Sequence, residues 1–307
     1  MSFDHHSRHA GTEPRPASSP AHPPVALVEG APAEMSPSLP DADLRHALSG
    51  AWIHALYQPI VRMHDRRPMA LEVLARLHHP DHGVMPPELF VTPMEDAGLA
   101  GQLAGAVLAR VFDDWTDHQL DRLGLRLAIN LPLDLFLMPD ALQRIDEARA
   151  AAGLRAGQLI IELTETTPLS RLPELSAATG HLRNLGYGLA IDDVGPHVRD
   201  HSALLAMKFT MLKLDKDLVR DAARDASALI FLTTAIAAAR QAGIDVTAEG
   251  IEDEDDWSRM QGLGVDFAQG FLVSHPMAIQ NVATWHRAWC ERFGYQEHDD
   301  RASHRRA

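Results

Sequence analysis

Short apolar runs that end on a polar or charged side chain recur along this chain, and stretches of helical periodicity separate most of them. Read as strands, the runs cover residues 70–74, 125–130, 159–164, 188–192, 211–215, 245–249 and 265–269. In "QLIIEL" and "GLAID" the apolar residues are nearly continuous until the acid, the pattern of a parallel strand buried on both faces. The clearest helix is predicted over residues 221–242, dense in Ala, Leu and Ile and stopped by Gly243; another ends near Leu185, with Gly186 as its cap. Alternation of the two patterns without an obvious linker predicts one α/β domain over residues 41–294.

The polar residues that close these runs are Glu72, Asn130, Glu162, Asp192 with Asp193, Lys213, Glu249 and Gln269. A barrel of parallel strands gathers its strand ends at one face, where (β/α)8 enzymes carry their catalytic groups. Any one of these residues alone reads as a satisfied structural polar group, but their recurrence at strand end after strand end points to a site. An acid at the end of a buried run is costly unless it is paired or bound to a metal. The set is rich in oxygen ligands and holds one lysine, which suits hard divalent cations such as Mg²⁺ or Mn²⁺; paired cations of this kind commonly cleave phosphodiesters.

Charge narrows the substrates. Lys and Arg number 28 against 42 Asp and Glu, a net charge of −14 that argues against nucleic-acid polymers and anionic membrane surfaces as partners. A small anion remains compatible if metals neutralise it locally. The length of 307 residues fits one barrel of roughly 250 residues plus tails. Cys290 is the only cysteine, which excludes an intramolecular disulfide and suits a reducing compartment. With no signal-like apolar segment and no stretch long enough to span a bilayer, the expected location is the cytoplasm. Residues 1–40, rich in Pro, Ser, Ala and His, are predicted to be disordered, and residues 295–307 form a polar tail.

Several blocks resemble the EAL domain of cyclic di-GMP phosphodiesterases: "YQPIV" from Tyr57, "LEVLAR" from Leu71, "GVMPPELF" from Gly83, "AIN" ending at Asn130 and "IELTE" ending at Glu165. "AIDDVG" around Asp192, "LKLD" around Lys213, "TAEGIE" from Thr247 and "AQGFLVSHP" from Ala268 continue the series, in order, over about residues 50–280. The resemblance implies a TIM-like (β/α)8 barrel variant that uses two divalent cations, Mg²⁺ or Mn²⁺, to open cyclic di-GMP to linear pGpG. It implies Glu72, Asn130, Glu162 and Asp192 as ligands to one metal and Asp192 with Asp193 for the second. Glu249 matches a second-metal ligand or general base, Lys213 the lysine that orients the attacking water, and Gln269 a glutamine lining the site. Gln58 and Arg76 match substrate-contacting positions, and Glu165 matches a glutamate that braces the loop after the paired aspartates. A homodimer is also implied.

Two departures from the family pattern stand out. Val73 replaces the alanine of the name-giving motif but leaves Glu72, Leu74 and Arg76 in place. After the paired aspartates the chain reads "DDVGPHVRDHSAL" where the family usually has DDFGTGYSSL, so Pro196 and His197 replace a threonine and a glycine. Proline fixes φ at the first of these positions, and the second loses easy access to φ > 0. The altered loop supports an alternative reading, a non-hydrolysing EAL-type receptor that binds cyclic di-GMP or a regulatory protein partner. Asp215 and Glu252 are assigned no catalytic role, and His78, His79 and His82 read as a surface turn.

Overall fold

The computed structural model describes residues 39–49, 52–164, 171–195 and 204–295. Nine strands are present among them: β1 (Ile53–Arg62), β2 (Pro68–His79), β3 (Gly83–Met85), β4 (Arg126–Asn130), β5 (Leu159–Thr164), β6 (Gly188–Val194), β7 (Met211–Leu214), β8 (Asp245–Ala248) and β9 (Phe267–Ala268). Around the sheet the order is β1-β9-β8-β7-β6-β5-β4-β2, and pairing of β1 with β2 closes it into an eight-stranded barrel. Strand β1 runs antiparallel to both of its neighbours, while β2, β4, β5, β6, β7, β8 and β9 pair in parallel. The short β3 pairs only with the end of β2, outside the ring.

Side chains alternate between the two faces of each strand, and the alternation builds two distinct cores. Outward-facing Leu127, Ile129, Ile161, Leu163, Leu189, Ile191, Leu212 and Val246 pack in one cluster with helix residues such as Leu108, Phe112, Leu182 and Leu232. Inward-facing Ile60, Ala70, Ala128, Ile160, Ala190 and Met211 form a separate buried cluster, touched by Phe267. Small alanines alternate with larger side chains there, as filling a narrow barrel requires. Two residues beyond these plug residues, on the same inward face, stand Glu72, Asn130, Glu162, Asp192, Lys213 and Gln269; Gln58 holds the equivalent place on the reversed strand β1. The apolar plug is the floor on which the polar residues stand.

The helices cover the outer face and differ from the sequence expectation in one place. The helix predicted over residues 221–242 begins five residues later, as Ala226–Ala242, and a separate short helix, Lys216–Asp221, ends where the prediction begins. Asp225 separates them, because its carboxylate accepts from Ser227 N at 2.8 Å and so starts the second helix. Asp215, left without a catalytic role, caps the first by accepting from Asp217 N and Leu218 N at 3.0 and 3.1 Å. This cap fixes the turn immediately after Lys213. The helix Leu172–Leu185 ends on Gly186 in the left-handed region, as its sequence predicts. Among the described residues no helix is long and apolar enough to cross a membrane.

Candidate functional site

Lys213 is fully buried, and its ammonium lies among four carboxylates: Glu249 Oε1 at 2.7 Å, Asp192 Oδ1 at 2.8 Å, Glu162 Oε2 at 3.2 Å and Glu72 Oε1 at 3.4 Å. These residues come from five different strands or their ends, so only barrel closure brings them together. Burial alone would lower the lysine, but Asp192, Glu162, Glu249 and Glu72 outweigh it and hold Lys213 well above the ordinary lysine range. Burial pushes Glu249 up to about 8, with Lys213 offsetting part of the shift. Glu162 is raised well above the carboxylate range for the same reason, and Asp193 is raised by burial and by Asp192.

The second aspartate reaches this cluster through a backbone irregularity. Consecutive residues on a regular strand point to opposite faces, which would turn Asp193 away from Asp192. The pairing of β6 with β7 is interrupted between Ile191 and Val194, and Asp193 sits at φ 53°, in the left-handed region. Aspartate visits that region more readily than most residues, and a bulge of this kind re-aims a side chain. As a result carboxylate oxygens of Asp192, Asp193 and Glu249 lie within 4.8 Å of one another, and a second such set joins Glu72, Glu162 and Asp192. Asp192 belongs to both.

The amides complete the floor. Asn130 Nδ2 stands 3.4 Å from Glu72 Oε1 and 3.5 Å from Glu162 Oε2. Gln269 Nε2 donates to Glu72 Oε2 and, at 3.0 Å, to Gln58 Oε1, while Gln58 Nε2 donates to the Ser274 carbonyl at 3.1 Å. Gln58 is registered directly opposite Glu72 across β1 and β2. The backbone around Gln269 is set by Gly270, at φ 155°: a Cβ there would collide with the backbone of Ile251, whose N–H donates to the Gln269 carbonyl at 3.0 Å. Arg76 lies four residues beyond Glu72 on the same face of β2, half-buried, with Nη1 donating to the Ala75 carbonyl at 2.8 Å. Glu165, Pro196 and His197 lie outside the described residues.

Some participants had little sequence signal. Ser274 contributes only its backbone carbonyl, which no side-chain pattern reveals. Tyr57, beside Gln58, donates to the buried Asp114 at 2.7 Å, and Arg110 pairs with the same carboxylate, tying β1 to the helix Ala100–Asp117. Thr247, a lone hydroxyl in the apolar strand β8 two residues before Glu249, is fully buried, and its Oγ1 has no hydrogen-bond partner.

The donor set suits divalent cations. Among the described residues Lys213 is paired with Glu72, Glu162, Asp192 and Glu249, and Asp193 adds a fifth carboxylate; with all five ionised the cluster would carry four net negative charges, which two divalent cations would neutralise. Glu162 Oε1 is buried and has no hydrogen-bond partner, a costly state that a cation relieves. Carboxylate and amide oxygens without thiols or imidazoles are the ligands of hard ions.

Comparison with known proteins agrees with this geometry. RocR of Pseudomonas aeruginosa, a cyclic di-GMP phosphodiesterase, is 29% identical over 242 residues, which is 78% of this chain and 61% of RocR. NbdA of the same organism, also a cyclic di-GMP phosphodiesterase, is 28% identical over 250 residues, 81% of this chain and 32% of NbdA. The structure of the PaMucR phosphodiesterase in complex with c-di-GMP superposes with a TM-score of 0.73 at 27% identity, covering 78% of this chain and 98% of that one. The chain spans about a third of the length of most of the curated relatives it matches. The EAL domain pattern itself matches residues 41–276, and the barrel with its reversed first strand and ring of acids carries it: this chain belongs to the EAL domain family.

Proposed function

We propose that this chain is a divalent-metal-dependent phosphodiesterase that hydrolyses cyclic di-GMP to linear pGpG. The observation that carries the reading is the pair of carboxylate sets sharing Asp192, arranged around one buried lysine. Glu72, Asn130, Glu162 and Asp192 would hold one cation, and Asp192, Asp193 and Glu249 the other; Mg²⁺ and Mn²⁺ both suit such oxygen ligands. When bound, such ions supply the Lewis acidity that makes water a nucleophile near neutral pH and that offsets charge on the phosphoryl oxygens.

The remaining steps fall to side chains of the chain itself. Lys213, wedged between Asp192 and Glu249 at 2.8 and 2.7 Å, fixes both carboxylates and adds positive charge beside the scissile phosphate. Glu249 is less buried than Glu162 and reaches the open side of the cluster, which suits it to take the proton of the attacking water. Gln269 and Gln58 line the floor through their mutual hydrogen bond, and the Arg76 guanidinium forks onto a phosphate.

Incubation of the purified protein with cyclic di-GMP and Mg²⁺ or Mn²⁺, followed by chromatographic separation of the nucleotides, tests the proposal. Appearance of pGpG with wild type and its absence with Glu249→Ala is the expected result. The replacement of the usual threonine and glycine by Pro196 and His197 favours a second reading, an EAL-type receptor. Saturable binding of cyclic di-GMP without product would establish that reading instead.

A further inference from the structure

Beyond the site itself, the ribbon formed by β1 and β2 continues past the barrel rim, and its inward face can be followed residue by residue. On β2 that face carries Glu72, Leu74, Arg76 and His78; on β1, in antiparallel register, it carries Gln58 opposite Glu72 and His54 opposite Arg76. The His54 and His78 rings, diagonal neighbours on this face, stack at 3.8 Å between centroids with their planes 19° apart. His54 is half-buried and His78 exposed, and both lie on the strand face that carries Arg76. Burial, and to a lesser degree the neighbouring His54, lower His78 from the ordinary histidine value.

We propose that the His54–His78 stack is a platform for one of the two guanine bases of cyclic di-GMP, continuing the binding surface from the metal cluster through Arg76. The inference rests on the dinucleotide reading above. Strand geometry places Arg76 roughly 14 Å and His78 roughly 20 Å along β2 from Glu72. A dinucleotide with one phosphate at the carboxylate cluster and the other toward Arg76 then carries a base out over His54, which is registered directly opposite that arginine. Nucleobases stack on flat π surfaces whatever their edge pattern, and imidazole provides one. The bland role for the pair, a cross-strand contact that only stiffens the ribbon, makes a different prediction.

Calorimetric titration of the full chain with cyclic di-GMP in Ca²⁺, which also occupies oxygen sites, separates the two. The platform predicts that His54→Ala and His78→Ala each weaken binding by about tenfold. It further predicts that His78→Phe restores affinity, that His78→Leu does not, and that melting temperatures stay near wild type. Wild-type affinity in both alanine variants would overturn the platform, as would losses that follow the melting temperature and are not rescued by phenylalanine. A wild-type chain that does not bind cyclic di-GMP at all would overturn the dinucleotide reading, and the platform with it. Binding by wild type that survives in both variants sinks the platform alone.

Discussion

Asp192 and Asp193 are adjacent on β6, yet their carboxylates converge with Glu249 to within 4.8 Å because Asp193 adopts φ 53° in a break in the β6–β7 pairing. A regular strand would have given the site one aspartate and the outer helices the other. The irregularity therefore builds the second half of the proposed metal centre.

Separating backbone from carboxylate at this position is straightforward. Asp193→Gly keeps the left-handed turn and removes the ligand, whereas Asp193→Val removes the ligand and adds a branched side chain at positive φ. Urea unfolding without metal should show the valine variant less stable than the glycine variant by about 1–2 kcal/mol. Mn²⁺ calorimetry should show both losing one of two binding events. Equal stability of the two variants would contradict the strain argument, and an unchanged metal stoichiometry would remove Asp193 from the ligand set.

Among the described residues Lys213 is the one cation that pairs with Glu72, Glu162, Asp192 and Glu249, and it is completely buried. Lys213→Met leaves Glu72, Glu162, Asp192 and Glu249 to repel one another, a loss of about 3–5 kcal/mol for breaking a buried ion pair. Ions that bind only the folded protein stabilise it by mass action, and they should do so more where they also relieve repulsion. The expected result is a lower melting temperature for metal-free Lys213→Met and a larger upward shift on adding Mn²⁺ than in wild type. A smaller shift would mean that the lysine helps recruit the metals rather than substituting for their charge.

The residues of the candidate site were legible in the sequence because each buried parallel strand reads as an apolar run broken by one acid or amide, and the barrel turns those breaks into a ring. Strand β5 matches its predicted bounds, and Glu162 stands where "QLIIEL" places it. Strand β1 was harder to see: it runs antiparallel and mixes Tyr57, Gln58 and Pro59 into its apolar residues. β3 spans three residues, too short to generate a period, whereas β9, Phe267–Ala268, falls inside the run read over residues 265–269. The start at Asp225 was masked by the helix-forming Ala222, Ala223 and Arg224 that precede it, and the bulge at Asp193 contradicts the alternation from which strands are read.

Gly270 explains why the glutamine of the site is followed by glycine. Its φ of 155° and the approach of the Ile251 backbone leave no room for a Cβ, and the two segments are joined by hydrogen bonds from Ile251 N to the Gln269 carbonyl and from Leu272 N to the Ile251 carbonyl, each at 3.0 Å. Gly270→Ala should cost about 1–3 kcal/mol in urea unfolding, the usual range for overpacking. Because Gln269 bridges Gln58 and Glu72, the same variant should weaken cyclic di-GMP binding, whereas Gly153→Ala, with open space around it, should affect only stability. Unchanged affinity in Gly270→Ala would show that Gln269 is positioned by its side-chain partners alone.

Part of the stability lost on acidification should come from a clamp at the start of β6. Tyr187, the residue before that strand, donates to Asp146 Oδ1 at 2.5 Å, and Arg149 donates to the same oxygen through Nε at 3.0 Å and Nη2 at 2.7 Å. Burial would raise the Asp146 carboxyl, but the bonds from Tyr187 and Arg149 outweigh it and hold the group below its ordinary value. A group depressed in the folded state stabilises the protein fully above the unfolded-state value of about 3.9, and the stabilisation disappears as pH falls through the lower folded value. Wild type should therefore exceed Asp146→Asn in urea midpoint near neutral pH, with the gap narrowing below about pH 4. A gap that stayed constant down to acid would mean that the carboxylate's charge contributes nothing and that its hydrogen-bond geometry, which asparagine partly preserves, is the whole of the clamp.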